Sequence, residues 1–299
     1  MGNTLSKGTL FPPVIADEVF SKVKGKSALA RLSAAEPIPF NGEDVFTFSL
    51  DSEVDLVAEN GAKSNGGATI APVKIAPQKV EYGFRVSDEF MYASEEIRLQ
   101  TLRAFADGFA KKVARGLDIM AFHGVNPRTG NTASVLQNKN FDDLVTNTVV
   151  YDQSIPQDNI TAAIALIDEE IDVDGLVISP SMKTALAALK TASNSNVPLF
   201  PELGWGSTLT SLNGLPTDAN STLSYHGNAD KALVGNFADY FKWGFSKQIP
   251  MEVIEYGDPD NSGYDLKGHN QVYLRCEAFI GWGILDKDAF AIVKSGASA

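Results

Sequence analysis

The chain has 299 residues, with 25 Lys and Arg against 37 Asp and Glu, a formal net charge of −12. That balance excludes a protein whose affinity comes from a basic face displacing counterions from nucleic-acid phosphates. Hydrophobic residues at 44% and charged residues at 21%, with 25 Gly and 14 Pro, exclude a low-complexity chain and leave ample material for one elaborate domain or two simple ones.

Residues 1–13 are small and polar and end in Pro12-Pro13, which reads as an extended arm. Apolar residues at helical spacing over 14–23 and 27–32 predict two short helices. Residues 45–50 and 53–58 have strand character, 59–67 is turn chemistry, and 69–86 alternates like a strand with interruptions at Pro72 and Pro77. The result is a long two-stranded excursion with Lys, Glu and Asn on both sides and little apolar face of its own. Isolated hairpins are marginal in water, so it lies on its own body or a neighbouring subunit, or else it is a mobile surface flap. Periodicity does not choose between these.

Ser94 is a good N-cap, followed by Glu95 and Glu96 where the helix dipole favours negative charge. Leu102, Phe105, Phe109, Val113, Leu117 and Met120 then recur every three or four residues, with Lys111, Lys112 and Arg115 towards the end that favours cations. One spine-like helix is predicted, roughly 40 Å long at 1.5 Å per residue. An amphipathic helix follows over 159–171, then a short buried strand at 175–179 leading through Pro180 into a helix at 181–192. Residues 191–228 read as loops with short strands, 232–235 as a buried strand, 249–256 as an alternating strand and 257–268 as a loop. In 271–280 Val272, Leu274, Cys276, Ala278 and Ile280 share one face of a strand. The fold class is α+β, without a repeating βαβ rhythm.

No active site is visible. Cys276 is the only cysteine, placed on the inward face of a strand, and excludes an intrachain disulfide. His123, His226 and His269 form no local ligand pair. The acidic run Asp168, Glu169, Glu170, Asp172 and Asp174 straddles a helix end and reads as a solvated face. Asp258, Asp260, Ser262 and Gly263 match the first half of a calcium loop, but position twelve is His269, so an inter-strand loop is the better reading. Gly204-Trp205-Gly206 and Gly281-Trp282-Gly283 read as turns, and the two glycosylation sequons at Asn159 and Asn220 carry no meaning without a secretory signal. The longest run free of charged residues, 203–217, is fifteen residues, too short for a membrane span. The start lacks the order of a signal peptide, so the protein is expected to be made and kept in the cytosol unless a particle carries it out.

The order of these elements resembles the major capsid proteins of tailed double-stranded DNA bacteriophages with the Hong Kong 97-type fold. Phe11-Pro12-Pro13-Val14 with 27–32 looks like the family's start, and 85–91 like the lead-in to its spine helix. Residues 212–216 and 231–240 look like its strand entry and "GDF" segment, and 270–277 followed by 286–294 like its closing strand and tail. Thr217 and Lys287 depart from the family pattern, where valine and proline are usual.

The resemblance implies an N-terminal arm and first helix (1–30), an extended hairpin loop (46–80), a peripheral domain (31–45, 81–150 with the spine helix, and 257–299) and an axial domain (151–256). It implies a non-enzymatic shell protein, without cofactor or metal, that closes with copies of itself into pentamers and hexamers around phage DNA held without specific binding. A separate scaffolding protein or a removed leader, a portal protein, a decoration protein in some shells, no membrane, and a place in the virion after assembly in the host cytoplasm follow in the same way. An encapsulin-type bacterial nanocompartment shares the fold and is the alternative; a soluble enzyme using the carboxylates of 168–174 is the third class. In some members a hairpin lysine forms an isopeptide bond with an asparagine next door, assisted by a glutamate. Asn270 and Glu277 stand where the family pattern puts the asparagine and glutamate, Lys74 lies within a couple of positions of the lysine site, and Lys63 sits nearer the hairpin tip.

Overall fold

The computed structural model describes residues 27–50, 52–192, 194–204, 209–246 and 251–296. The arm and the helix expected over 14–23 lie outside the described residues, as do Trp205, Gly206 and the beginning of the strand expected over 249–256. Helix α1 (Ala28–Leu32) starts at the Ser27 cap. Strands β1 (Glu43–Leu50) and β2 (Ala68–Ile75) form an antiparallel ribbon of their own, and β3 (Gln78–Ser87) turns into the body. After a short α2 (Glu89–Tyr92) comes the spine helix α3 (Glu95–His123), 29 residues long, capped by Ser94 and closed by Gly124 at φ +62°. A left-handed residue there lets the Gly124 N–H reach back to the Met120 carbonyl, which is why glycine ends the helix.

The remaining elements are α4 (Phe141–Leu144), β4 (Thr148–Val150), α5 (Pro156–Ile164), β5 (Gly175–Ile178), α6 (Pro180–Ala187), β6 (Ser211–Leu212), β7 (Leu215–Ala219), β8 (Asp230–Gly235), α7 (Phe237–Tyr240), β9 (Phe241–Phe245), β10 (Met251–Ile254), β11 (Gln271–Ile284) and β12 (Phe290–Lys294). The long β11 pairs with β3 along one edge and with β10 and then β9 along the other. Its inward stripe from Val272 to Ile280 is buried, as the alternation predicts, and the apolar stripe of α3 packs in the same core.

A mixed six-stranded sheet runs β4-β12-β8-β5-β7-β6 and separates two cores. Val177, Leu233, Phe290 and Ile292 face the core of α3 and β11, whereas Leu176, Ile178, Ala232, Val234, Ala291 and Val293 face a second core built with α5 and α6. Strands covered on both faces have no polar side to show, which explains their unbroken apolar runs. Strand β12 pairs with β8, so the end of the chain returns to the sheet of the 151–256 segment.

Several boundaries differ from the sequence reading. Residues 53–58 form no strand. Pro72 lies inside β2, opposite Phe46. In a two-stranded ribbon half the N–H groups of each strand point away from the partner, so a proline is tolerated. The helix expected over 159–171 is α5, which starts at Pro156 and stops at Ile164. Tight turns follow, with Asp168, Glu169 and Glu170 at a helix end that disfavours negative charge. The helix expected over 181–192 ends at Ala187 because the chain reverses and Lys190 bridges to Pro198. Gly281-Trp282-Gly283 is no turn; it lies in the middle of β11. No described helix is long and apolar enough to cross a membrane.

Candidate functional site

The β1–β2 ribbon carries the main feature of the surface. Its register sets Phe46 opposite Pro72, Phe48 opposite Ile70 and Leu50 opposite Ala68, so these six residues share one face. That face is open: Phe46 is 68% exposed, Phe48 63% and Leu50 68%, and Leu56 in the connecting segment reaches 97%. The expectation of a hairpin with little apolar face is therefore corrected. The two-residue period gathers the apolar side chains on one side, and the Lys, Glu and Asn residues belong mostly to the unpaired segment between the strands. Scattered exposed hydrophobics are ordinary, but a contiguous apolar sheet face without cover marks an interaction site.

The other face is fixed at its root. Ile75 is fully buried against Gly281 and Gly283 of β11, where a Cβ on Gly283 would stand 2.8 Å from Ile75 Cγ1. Lys242 holds Glu36 at 2.7 Å and Glu43 at 3.1 Å, and Phe40 meets Phe279 edge-on at 5.1 Å. The hairpin thus leaves the body in a set direction while its apolar face is covered by none of the described residues.

A second feature joins β3 to the loop over 257–268. The Arg85 Nη2 lies 2.7 Å from Asp258, 2.6 Å from Asp260 and 2.8 Å from the Tyr264 carbonyl, with Ser262 Oγ at 2.5 Å. Arg85 Nε donates to the other Asp260 oxygen at 2.9 Å. The oxygens that resembled half a calcium loop surround a guanidinium from the neighbouring strand. That ion pair holds Asp260 well below the usual carboxylate range.

A third ties the start of the described chain to the spine. Asp118 is fully buried on α3 and accepts from Ser27 Oγ, from the Ala28 and Leu29 N–H groups at 3.0 and 3.3 Å, from Asn220 at 3.2 Å and from Thr222 at 3.1 Å. Burial raises its pKa to about 6 against the pull of those donors. Neither Asp118 nor Arg85 was singled out by sequence. The signal for Asp118 was an acid between Ala114 and Ala121 on the apolar side of the spine.

The cross-link candidates are not brought together within one chain. Lys74 is exposed on the open face opposite Asp44, and Lys63 is exposed in the connecting segment. Asn270 stands just before β11, its carbonyl accepting from the Asp88 N–H at 2.9 Å. Glu277 lies seven residues further along, roughly 24 Å at strand rise. Glu277 is ion-paired with Lys79 at 2.7 Å, with Arg275 at 3.5 Å. Of the acidic run, Asp168, Glu169, Glu170 and Asp172 are exposed, and Asp174 accepts from the Phe237 and Ala238 N–H groups, so no cleft gathers them. Cys276 is buried, its thiol pushed up to about 12.

A protein-family model described as the phage capsid family matches residues 7–295. The chain belongs to the phage capsid family. Among solved structures, one from Mycobacterium phage Ogopogo is 33% identical with a TM-score of 0.76, covering 91% of this chain and 92% of that one. One from Gordonia phage Cozz is 22% identical with a TM-score of 0.73, covering 91% and 87%. The capsid of an empty GTA particle computed with C5 symmetry shares 15% identity and a TM-score of 0.63, covering 91% and 90%. No curated protein matches. As a phage capsid protein the chain has the Hong Kong 97-type α+β fold and forms the icosahedral head shell of the virion. The encapsulin alternative is not favoured by these matches.

Proposed function

We propose that the open face of the β1–β2 hairpin is the surface by which this capsid protein engages a neighbouring copy of itself. The observation that carries this reading is the contiguous row of Phe46, Phe48, Leu50, Ile70 and Pro72, exposed on an element whose root is rigidly seated. Covering such residues stabilises by roughly 1–2 kcal/mol each, so a repeated contact of this size supplies a large part of an assembly interface. Hairpin on one copy and body on the next make a heterologous contact, which closes into rings when the rotation permits.

In this reading pentamers and hexamers close around the segment 151–256, the axial domain, while α3, β3 and β11 form the peripheral domain. The pairing of β12 with β8 supports counting residues 290–294 with the axial part in this reading. The protein acts without catalysis, and its assembly in the host cytoplasm uses a separate scaffolding protein and a portal. An acidic wall repels phosphate, which suits DNA that is enclosed without specific binding and later released. Electron microscopy of the expressed protein, alone and with its scaffolding protein, tests the reading: capsomers or shells are expected, and persistent monomers under both conditions contradict it.

A further inference from the structure

His123 closes the spine helix, and both nitrogens of its ring have fixed neighbours. Nε2 lies 3.0 Å from the Thr222 carbonyl, which only accepts, so Nε2 carries a proton. Nδ1 faces Asp142 Oδ2 at 2.7 Å and Asp230 Oδ2 at 3.8 Å. Asn228 Nδ2, 2.9 Å from Nδ1 and 3.1 Å from Asp142, donates into the same space. Even so, a ring lone pair 2.7 Å from a carboxylate oxygen is repulsive unless a proton or a cation stands between them.

Two further observations point to a cation. Asp230 is only 2% exposed, and its Oδ1 has no hydrogen-bond partner among the described residues. Among the described residues the ammonium nearby is that of Lys294, which sits 2.7 Å from Asp142 but 3.6 Å from that Asp230 oxygen, at the end of β12 with a path to solvent. One oxygen of each aspartate and one imidazole nitrogen lie within 4.8 Å of one another. A ring N–H donated to a backbone carbonyl is also the arrangement that orients metal-binding histidines.

We propose that His123, Asp142 and Asp230 form a binding site for a divalent transition-metal ion, with zinc as the best match, and that Lys294 turns out to solvent when the ion binds. One imidazole and two carboxylates suit zinc or manganese better than magnesium, which keeps its waters and prefers oxygen alone. The charges balance. With the ring protonated, His123 and Lys294 carry two positive charges against two carboxylates. The ion replaces the ring proton, which leaves to solvent, and the ammonium, which moves away. Water completes the coordination. The ion would join the end of α3, α4 and the start of β8. This inference does not depend on the assembly reading.

The test is calorimetric titration of the full-length protein with zinc chloride, beside magnesium chloride, in two buffers of different ionisation enthalpy. Saturable binding of one zinc per chain with proton release is expected, weakened roughly tenfold or more in Asp230→Asn and tightened in Lys294→Met, which keeps every ligand and removes the competing ammonium. No saturable binding by the wild type and Lys294→Met would overturn the proposal. So would equal affinity in a folded Asp230→Asn variant, which would assign the zinc to other groups such as His226 or His269.

Discussion

The buried Ile75 side chain lies over the α-carbon of Gly283 in β11, and beside it Gly281 leaves room for Ile75 and Ile38 together. The glycine pair in a central strand is therefore a seat for the hairpin root. In Gly283→Val the added side chain forces Ile75 aside, and overpacking of this kind costs about 1–3 kcal/mol. The melting temperature should fall and shell yield should fall further, because a hairpin pointing in a new direction misses its neighbour.

Residues Phe46 and Phe48 separate folding from assembly. Replacing both by Ser removes apolar surface that is already open in the single chain, so the stability of unassembled protein should change by no more than about 0.5 kcal/mol. Sedimentation should show the loss of shells with soluble protein remaining.

Asp118 supplies a pH dependence with a definite sign. Its folded pKa is raised by burial to about 6 from 3.8, so the folded state holds the proton more tightly. The stability it contributes is full below about pH 4 and is lost as the pH rises through about 6. In Asp118→Asn that dependence disappears, and the NH2 that replaces one carboxylate oxygen sets a donor against either the Ala28 or the Leu29 N–H group. The variant should be less stable, and its deficit should be larger at pH 5 than at pH 7 by about 1 kcal/mol, measured by denaturant unfolding of the unassembled protein.

Arg85 is the clamp on the loop over 257–268. Arg85→Met leaves Asp258 and Asp260 without their common partner, and limited proteolysis should cut that loop faster than in the wild type. Raising the salt concentration should speed cutting of the wild type and leave the variant nearly unchanged, since exposed ion pairs are screened.

Glu277 bears on covalent cross-linking. Its Oε1 is already engaged by Lys79 and Arg275 of the same chain, so a further lysine would have to displace them to reach it. Boiled particles should run as a single monomer band on a denaturing gel; a ladder of cross-linked chains would show that Lys74 or Lys63 reaches Asn270 in the shell.

Much of the fold was legible in local pattern. The spine helix announced itself by the Ser94 cap and the stripe from Leu102 to Met120, and β11 by the alternation through Cys276. Both are long, regular and buried on one side, so periodicity alone marks them. What escaped was set by distant partners. The apolar hairpin face depends on the register of Phe48 with Ile70, and Gly283 reads as a turn until Ile75 is seen upon it. The spacing of the Asp258 loop says nothing of Arg85, and the separation of His123 from Asp230 hides their proximity. Such relationships belong to the folded chain and leave no short-range trace.

In the assembled shell the open hairpin face becomes covered by a neighbouring copy, and an electron cryo-microscopy map of that shell would show it. Phe46, Phe48, Leu50 and Ile70 should lie buried against the body of an adjacent subunit. A shell in which the hairpin stands free in solvent, or folds back on its own chain, would contradict it.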